Sequence, residues 1–315
     1  MLTRKRTIRC AIEAVKNVAE TLTAADAITA ENINVALANE KRIEPPAVGA
    51  DMAAAKSLFV SALVEVTFDL RIKGAAAAYS ATVLPELDVP LQISGVGVTV
   101  DTTPSAEKAT YSPSSVTSTH KTATFEVYND GLLYTITGCV SSWTADISSG
   151  AQGMVSFTVT GHCTGVVDSA IPADAPSAIE APKVIGLGFD VAGYGAVISS
   201  LKLKPGLSPV WPDDINAVDG FGDAVIIDRK FKGSFDPLAV LVATHDFEAK
   251  FRAGTEMAIT TGLIGSVQYN QYQHTFGKAY YDAIGGGDRD GIAANEMGFG
   301  ALPVSGDDEW VWEFS

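Results

Sequence analysis

The sequence predicts a mainly β protein built as two related antiparallel β-sandwich or barrel domains, each with little helix. Three observations carry that expectation. Apolar and polar residues alternate with a period of two along several segments. Asn-Asp-Gly and glycine-rich turns separate those segments, and the order of segments in the first half returns in the second. The chain has 315 residues, 47% of them hydrophobic and 19% charged, enough apolar material for a large core and too much for wholesale disorder.

At the N-terminus, Met1-Leu-Thr-Arg-Lys-Arg6 is the densest basic cluster. It does not read as a secretory signal, because charges interrupt Thr7-Ile-Arg-Cys-Ala-Ile-Glu-Ala-Val-Lys16 where an apolar stretch should run. Ile8, Ala11, Val15 and Val18 recur at a spacing that allows a helix. After a loop containing Glu44-Pro-Pro46, the segment 64–73 alternates throughout. Val64, Val66, Phe68, Leu70 and Ile72 face one way, and Glu65, Thr67, Asp69, Arg71 and Lys73 the other, as in a strand with one buried and one wet face. Residues 122–128 alternate likewise, and Asn129-Asp-Gly131 predicts a tight hairpin into 132–137. A further hairpin joins 139–146 to 154–160 through a turn at 149–153.

Residues 166–182 hold three prolines and read as an extended linker, which divides the chain into a first domain, 1–165, and a second, 183–315. The best helix spans about 237–253: Asp236 can cap its start, Pro237 suits the first turn, and Gly254 can close its end. Leu238, Leu241, Val242, Phe247 and Phe251 then form an apolar stripe. Residues 278–302 read as a closing hairpin. The halves echo one another in the strings Asp69-Leu-Arg-Ile-Lys-Gly74 and Asp228-Arg-Lys-Phe-Lys-Gly233, and in an apolar stretch beginning near proline in each, at 84–90 and from 236. This order points to an internal duplication.

Signatures of familiar chemistry are missing. His120, His162, His245 and His274 lie far apart, with no H-E-x-x-H and no C-x-x-C. Gly186-Leu-Gly188 and Gly193-Tyr-Gly195 resemble a dinucleotide loop, but position 191 is Val, and neither a phosphate-binding G-x-x-x-x-G-K-[ST] nor a G-x-S-x-G elbow occurs. Asp288-Arg-Asp290-Gly291 has the start of a calcium loop, yet Ile292-Ala-Ala-Asn295 lacks the ligands that should follow, so a glycine-rich turn is the favoured reading. No enzyme, metal or cofactor is expected. Cys10, Cys139 and Cys163 are odd in number and scattered, which fits reduced thiols better than a disulfide framework. No stretch is apolar for the ~20 residues of a membrane span. With 37 acidic and 22 basic residues the net charge is −15, which disfavours a broad phosphate-gripping face.

Over most of its length the chain resembles the major tail tube proteins of long-tailed bacteriophages. The segments that carry the resemblance are the strand Val64-Glu-Val-Thr-Phe68, the region centred on Pro85, the loop Tyr111-Ser-Pro113 and the hairpin from Thr124 to Cys139. To these are added the strand pair from Trp143 to Gly161, Phe235-Asp-Pro237 with its helix, and Gly287-Asp-Arg-Asp-Gly-Ile292. The Ala-rich region 20–30 and the run Ala75 to Ala78 depart from the family's pattern. The resemblance implies tail-tube-type β domains that join edge to edge in rings, stacked into a tube through which viral DNA passes without tight binding. It also implies a tape measure protein, a tail terminator and tail-tip proteins as partners, a place in the virion tail, and synthesis in the bacterial host cytoplasm, with no membrane involved.

An excess of carboxylates in such a lumen would repel phosphates. Glu65, Asp69, Asp288 and Asp290 are the candidate lumen or ring-interface charges. If each half is one tube domain, three chains close a ring with pseudo-six-fold symmetry; a hexamer with the second half outside the wall is the alternative. The competing function is a carbohydrate-binding or decoration β-sandwich of the virion, with Trp143, Trp211, Trp310 and Trp312 as stacking surfaces.

Overall fold

The computed structural model describes Leu2 and residues 5–44, 56–174 and 176–315. Strands account for 49% of the chain and helix for 6%, all in antiparallel pairings. The first half runs β1 (Arg6–Ile12), β2 (Ala27–Ile28), β3 (Glu31–Ile43), β4 (Leu58–Arg71), α1 (Asp88–Gln92), β5 (Val96–Asp101), β6 (Lys108–Pro113), β7 (Ala123–Asn129), β8 (Leu132–Ser148) and β9 (Met154–Asp168). The second runs β10 (Asp190–Val191), β11 (Tyr194–Gly195), β12 (Ser200–Lys204), β13 (Pro209–Val210), β14 (Val225–Ile226), β15 (Lys232–Phe235), α2 (Phe247–Ala253), β16 (Met257–Thr260), β17 (Tyr272–Arg289), β18 (Ile292–Leu302) and β19 (Val311–Phe314).

The alternating segments become strands for the expected reason. On β4, Val64, Val66, Phe68 and Leu70 are buried while Glu65, Thr67 and Asp69 are partly exposed. Phe68 stacks on Phe157 of β9 at 5.6 Å between ring centres. Tight turns join β7 to β8 at Asp130 (φ 41°) and Gly131 (φ 103°), and β17 to β18 at Asp290 (φ 54°) and Gly291 (φ 83°). Both central residues of each turn have positive φ, which matches the right-handed twist of the flanking strands. The segment weighed as a calcium loop is therefore a hairpin turn, in which the Gly291 N–H donates to Asp288 at 3.1 Å.

Two local expectations are corrected. The N-terminal helix is instead β1, paired along its length with β7 from Arg6 opposite Asn129 to Ile12 opposite Ala123. Ile8, Arg9 and Cys10 are buried in succession, while Val15 and Val18 lie beyond the strand and are exposed, so the helical stripe never forms. The second-half helix is confined to Phe247–Ala253, capped by Asp246, whose carboxylate accepts from the Ala249 N–H at 2.8 Å, and closed by Gly254 at φ 59°. Asp236 caps nothing helical; it accepts the N–H groups of Ser199 and Ser200, each at 2.8 Å. Leu238 bridges Ala294 on the outer side of β18, and Leu241 and Val242 are 78% and 71% exposed. Pairing with β18 satisfies the backbone there, which delays the helix. The prolines of the loop at 44–46 lie outside the described residues.

Pairing order is repeated in the two halves. In the first, strands neighbour one another in the order β2-β1-β7-β8-β9-β4-β3. In the second the order is β11-β10-β16-β17-β18-β15-β12. An irregularity is repeated too. Between Ala123 and Phe125 the partners on β8 jump from Cys139 to Ile136, and between Met257 and Ile259 the partners on β17 jump from Ala279 to Phe276. That shared bulge fixes which residues correspond: Ile136 with Phe276, Cys139 with Ala279, and, following the pairs across, Phe157 with Met297 and Phe68 with Phe235. The sequence echo between 69–74 and 228–233 is out of step with this correspondence, because β15 is short and 228–231 lie before it.

The halves are not independent sheets. β8 gives its outer edge to β7 near its start and to β12 near its end, with Ala145 opposite Leu203 and Ile147 opposite Leu201. β19 joins β17 to β6. A continuous 17-stranded sheet results, over one core that draws on both halves. At the seam Trp143 of β8 packs against Trp310 at 5.5 Å, Trp312 at 5.9 Å and Phe231 at 6.2 Å. Residues 169–174 and 176–182 are without regular structure but are strapped to the first half. Asp174 accepts from Thr7 and Arg9, both at 2.8 Å, and Lys73 reaches Glu86 at 2.7 Å and the Ser177 carbonyl at 3.0 Å. Buried pairs of this kind cost desolvation, which the added hydrogen bonds offset.

His274 of β17 is 1% exposed and lies against Trp312 at 4.5 Å between ring centres. Burial pushes its pKa down to about 3, so the folded protein holds it neutral. Its contribution is present above the unfolded value near 6.5 and is lost as pH falls, because the unfolded chain then binds the extra proton. Urea midpoints are expected to drop between pH 7 and pH 4, with a shallower drop in His274→Phe; an identical slope in the variant would count against this role.

Candidate functional site

Two features stand out in the sheet: a polar face that crosses the seam between the halves, and long strand edges, of β3 and β17 among others, left without partners among the described residues. The polar face belongs to the ribbon β3-β4-β9-β8-β12-β15-β18-β17, whose other face covers the core. Alternation along each strand decides which side chains it shows. Thr144 and Asp146 come from β8, Lys202 and Lys204 from β12, Lys232 from β15 and Asp282 from β17; they line a concave depression of about 780 Å³.

Charges on this face are of both signs rather than uniformly negative, and Lys204 lies opposite Lys232. Asp146 sits directly opposite Lys202 across the seam, Lys232 pairs with Asp282 at 2.8 Å, and Arg71 pairs with Glu31 at 2.6 Å. The hydrogen bond to Asp282 raises the Lys232 pKa. Of the candidate charges read from the sequence, Asp69 and Glu65 lie on β4, on its wet side. Asp69 accepts from the Asn32 amide at 2.7 Å. Glu65 makes no hydrogen bond or ion pair among the described residues. Asp288 and Asp290 sit elsewhere, at the end of the β17–β18 hairpin. The structure therefore separates the four candidates into a face pair and a hairpin pair. Lys202, Lys232, Asp146 and Asp282 were missed; the string Ser-Leu-Lys-Leu-Lys at 200–204, alternating and basic, was the available signal.

The unpaired edges among the described residues include those of β3 and of the later part of β17; the outer edge of β5 and the β4 side of β9 beyond Gly161 are open as well. β3 pairs with β4 alone. From Asn34 to its end, no backbone hydrogen bond leaves the opposite side among the described residues. On β17 the side away from β18 is covered by β16 up to Ala279, and from Asp282 to Arg289 it carries no backbone partner among the described residues. Next to the first edge, Leu37, Ile43, Leu58, Phe59 and Val60 are each at least half exposed, an apolar arm on the β3–β4 hairpin. Long exposed edges and apolar arms are features that isolated soluble proteins avoid and assembling ones use.

A family profile described as "Phage tail tube protein" matches residues 4–301. The chain belongs to the phage tail tube protein family. A direct comparison with curated proteins finds no match. A tail tube protein is a structural protein of the virion tail, and the resemblance noted from the sequence is thereby upheld. No helix among the described residues is long and apolar enough to cross a membrane. The carbohydrate reading finds no support: Trp143, Trp310 and Trp312 are at most 2% exposed, inside the aromatic cluster at the seam, and present no stacking platform.

The matched charges make an expectation for stability. Lys202→Glu sets two like charges opposite one another on β8 and β12 and lowers stability by up to about 1 kcal/mol, whereas Glu65→Gln, which removes no recorded contact, stays within about 0.5 kcal/mol. Urea midpoints at low salt measure both; equal effects of the two substitutions would contradict the cross-seam pairing.

Proposed function

We propose that the chain associates with itself into rings and that the rings stack into the tail tube, the conduit through which viral DNA leaves for the host. In this reading the first half (1–165) and the second half (183–315) each supply one wall position, joined by 166–182. Three chains then close a ring with pseudo-six-fold symmetry. The observation that carries the reading is the repeated pairing order, shared bulge included, in the two halves. A hexamer of chains, with one half outside the wall, is the competing arrangement. The role is structural and asks for no catalysis; the tape measure, terminator and tail-tip proteins are the further partners, and the chain is made in the bacterial host cytoplasm.

The polar face of the eight-strand ribbon supplies the lumen wall. It sets carboxylates among its cations, with Lys232 held by Asp282 and Arg71 by Glu31, and the chain as a whole carries 37 acids against 22 bases. DNA can then pass without being held. Glu65 and Asp69 belong to that wall, and Asp288 and Asp290 to a contact between wall units.

Native mass spectrometry and ring averages from electron microscopy test the stoichiometry. Three chains per ring are expected, and six chains per ring would overturn it. In a mobility-shift assay at physiological salt, duplex DNA is expected to remain unbound; tight, salt-sensitive binding would contradict a non-adhesive lumen.

A further inference from the structure

The seam inside one chain has a counterpart that the chain leaves open. β8 donates its late outer edge to β12, the last strand in the pairing order of the second half. By the correspondence that the shared bulge fixes, β17 is the second-half counterpart of β8, and β3 is the first-half counterpart of β12. Both of these edges lack a backbone partner among the described residues. We infer that β17 of one chain pairs antiparallel with β3 of a second copy, reproducing between chains the β8–β12 seam within each. The inference rests on the ring reading above and deepens it by naming the strands and their register.

The register follows position by position. Across the first half, Trp143 is opposite Phe157, which is opposite Phe68; across the second, Ile284 is opposite Met297, which is opposite Phe235. Trp143 thus corresponds to Ile284, and two strand positions further on Ala145 corresponds to Gly286 and Asp146 to Gly287. On the receiving side Leu203 faces Gly233 and Val35 faces Val66, and both Gly233 and Val66 are next along the core-facing rows, so Leu203 corresponds to Val35 and Lys202 to Asn34. Within the chain Ala145 lies opposite Leu203 and Asp146 opposite Lys202. Between chains, Gly286 then lies opposite Val35 and Gly287 opposite Asn34.

Local chemistry suits this contact. Asn34, Gly286 and Gly287 are exposed, and Gly285 to Gly287 leave a bare backbone against which a neighbour can close. The charged residues Asp146 and Lys202, which face one another in the internal seam, are replaced by a neutral pair, so the junction between chains depends on backbone hydrogen bonds and not on charge. Each copy offers one donor edge and one acceptor edge, a heterologous contact that closes into a ring or propagates.

Disulfide trapping decides it. A chain carrying Asn34→Cys and Gly287→Cys places two thiols opposite one another on the exposed face, within the Cα separation a disulfide spans. The built Cβ at Gly287 meets only ordinary contacts, the nearest at 3.8 Å, so the substitution is tolerated. Oxidation of assembled rings is expected to give a ladder of linked chains on non-reducing gels. Ala36→Cys with Gly287→Cys, two residues out of register, is expected to give none. Rings visible by electron microscopy without a ladder would overturn the strand assignment and leave the ring reading standing. Linked dimers from Asn34→Cys alone would show β3 meeting β3 about a two-fold axis and would also overturn it. Absence of rings and of ladder together would sink both. A ladder that stops at six linked chains, instead of three, would uphold the strands and overturn the three-chain ring.

Discussion

A strand edge carries N–H and C=O groups that must find partners, and this requirement organises the whole molecule. β8 is long enough to serve β9 along one side and two different strands along the other, β7 and then β12. That divided edge converts two sheets into one and brings the halves together as neighbours in a common sheet. The C-terminal β19, inserted between β17 and β6, repeats the join at a second place. With two joins and a shared core, the angle between the halves is set by packing and does not depend on the linker. Contacts of Asp174 with Thr7 and Arg9, and of Lys73 with the Ser177 carbonyl, hold the connection against the first half, so it is fastened and not a free tether.

Packing at the seam is dominated by aromatic rings. Trp143 from the first half, with Phe231, Trp310 and Trp312 from the second, forms edge and tilted contacts at 5.2–6.2 Å with its neighbours. Such rings bury large areas without needing polar partners over most of their surface. Glycine matters at one point here: a Cβ at Gly233 would approach the Phe299 ring to 2.2 Å, so β15 can lie beside β18 only because that position has no side chain. Nearby, Arg229 joins Asp307 at 2.5 Å and also binds Glu309. Burial opposes ionisation of Asp307, but hydrogen bonds from Ser115 and Arg229 hold its pKa down to about 2, and the approach to β15 is thereby fixed.

The polar face follows from the same alternation that buries the core. Once Phe68, Phe157, Trp143, Leu201, Phe235 and Phe299 point inward, every second residue must point to the opposite side, and the chain fills those positions with Thr, Ser and charges of both signs. The pairs Lys232–Asp282 and Arg71–Glu31 bring opposite charges together there, which lowers the repulsion that a face of carboxylates alone would carry.

Much of this was legible in the sequence. The strict alternation determined β4 and its two faces as far as Arg71, although Lys73, expected on the wet face, lies beyond the strand and is buried against Glu86; Asn129-Asp-Gly131 determined a hairpin, and the order of segments disclosed a repeat. Glu65 and Asp69 were placed on the wet face by parity alone. The sequence did not determine where β1 would go: its pattern suits a helix or a strand, and the waiting edge of β7 decided. It did not determine the start of α2, because pairing of Leu238 with Ala294 competes with helix nucleation and is invisible to local spacing. Least of all did it reveal that β8 would be shared with β12, or that the repeat is registered by a bulge and not by the basic strings at 69–74 and 228–233. Period and turn chemistry are local properties, readable residue by residue; edge pairing is a long-range choice among strands of similar pattern, and only the assembled sheet makes it.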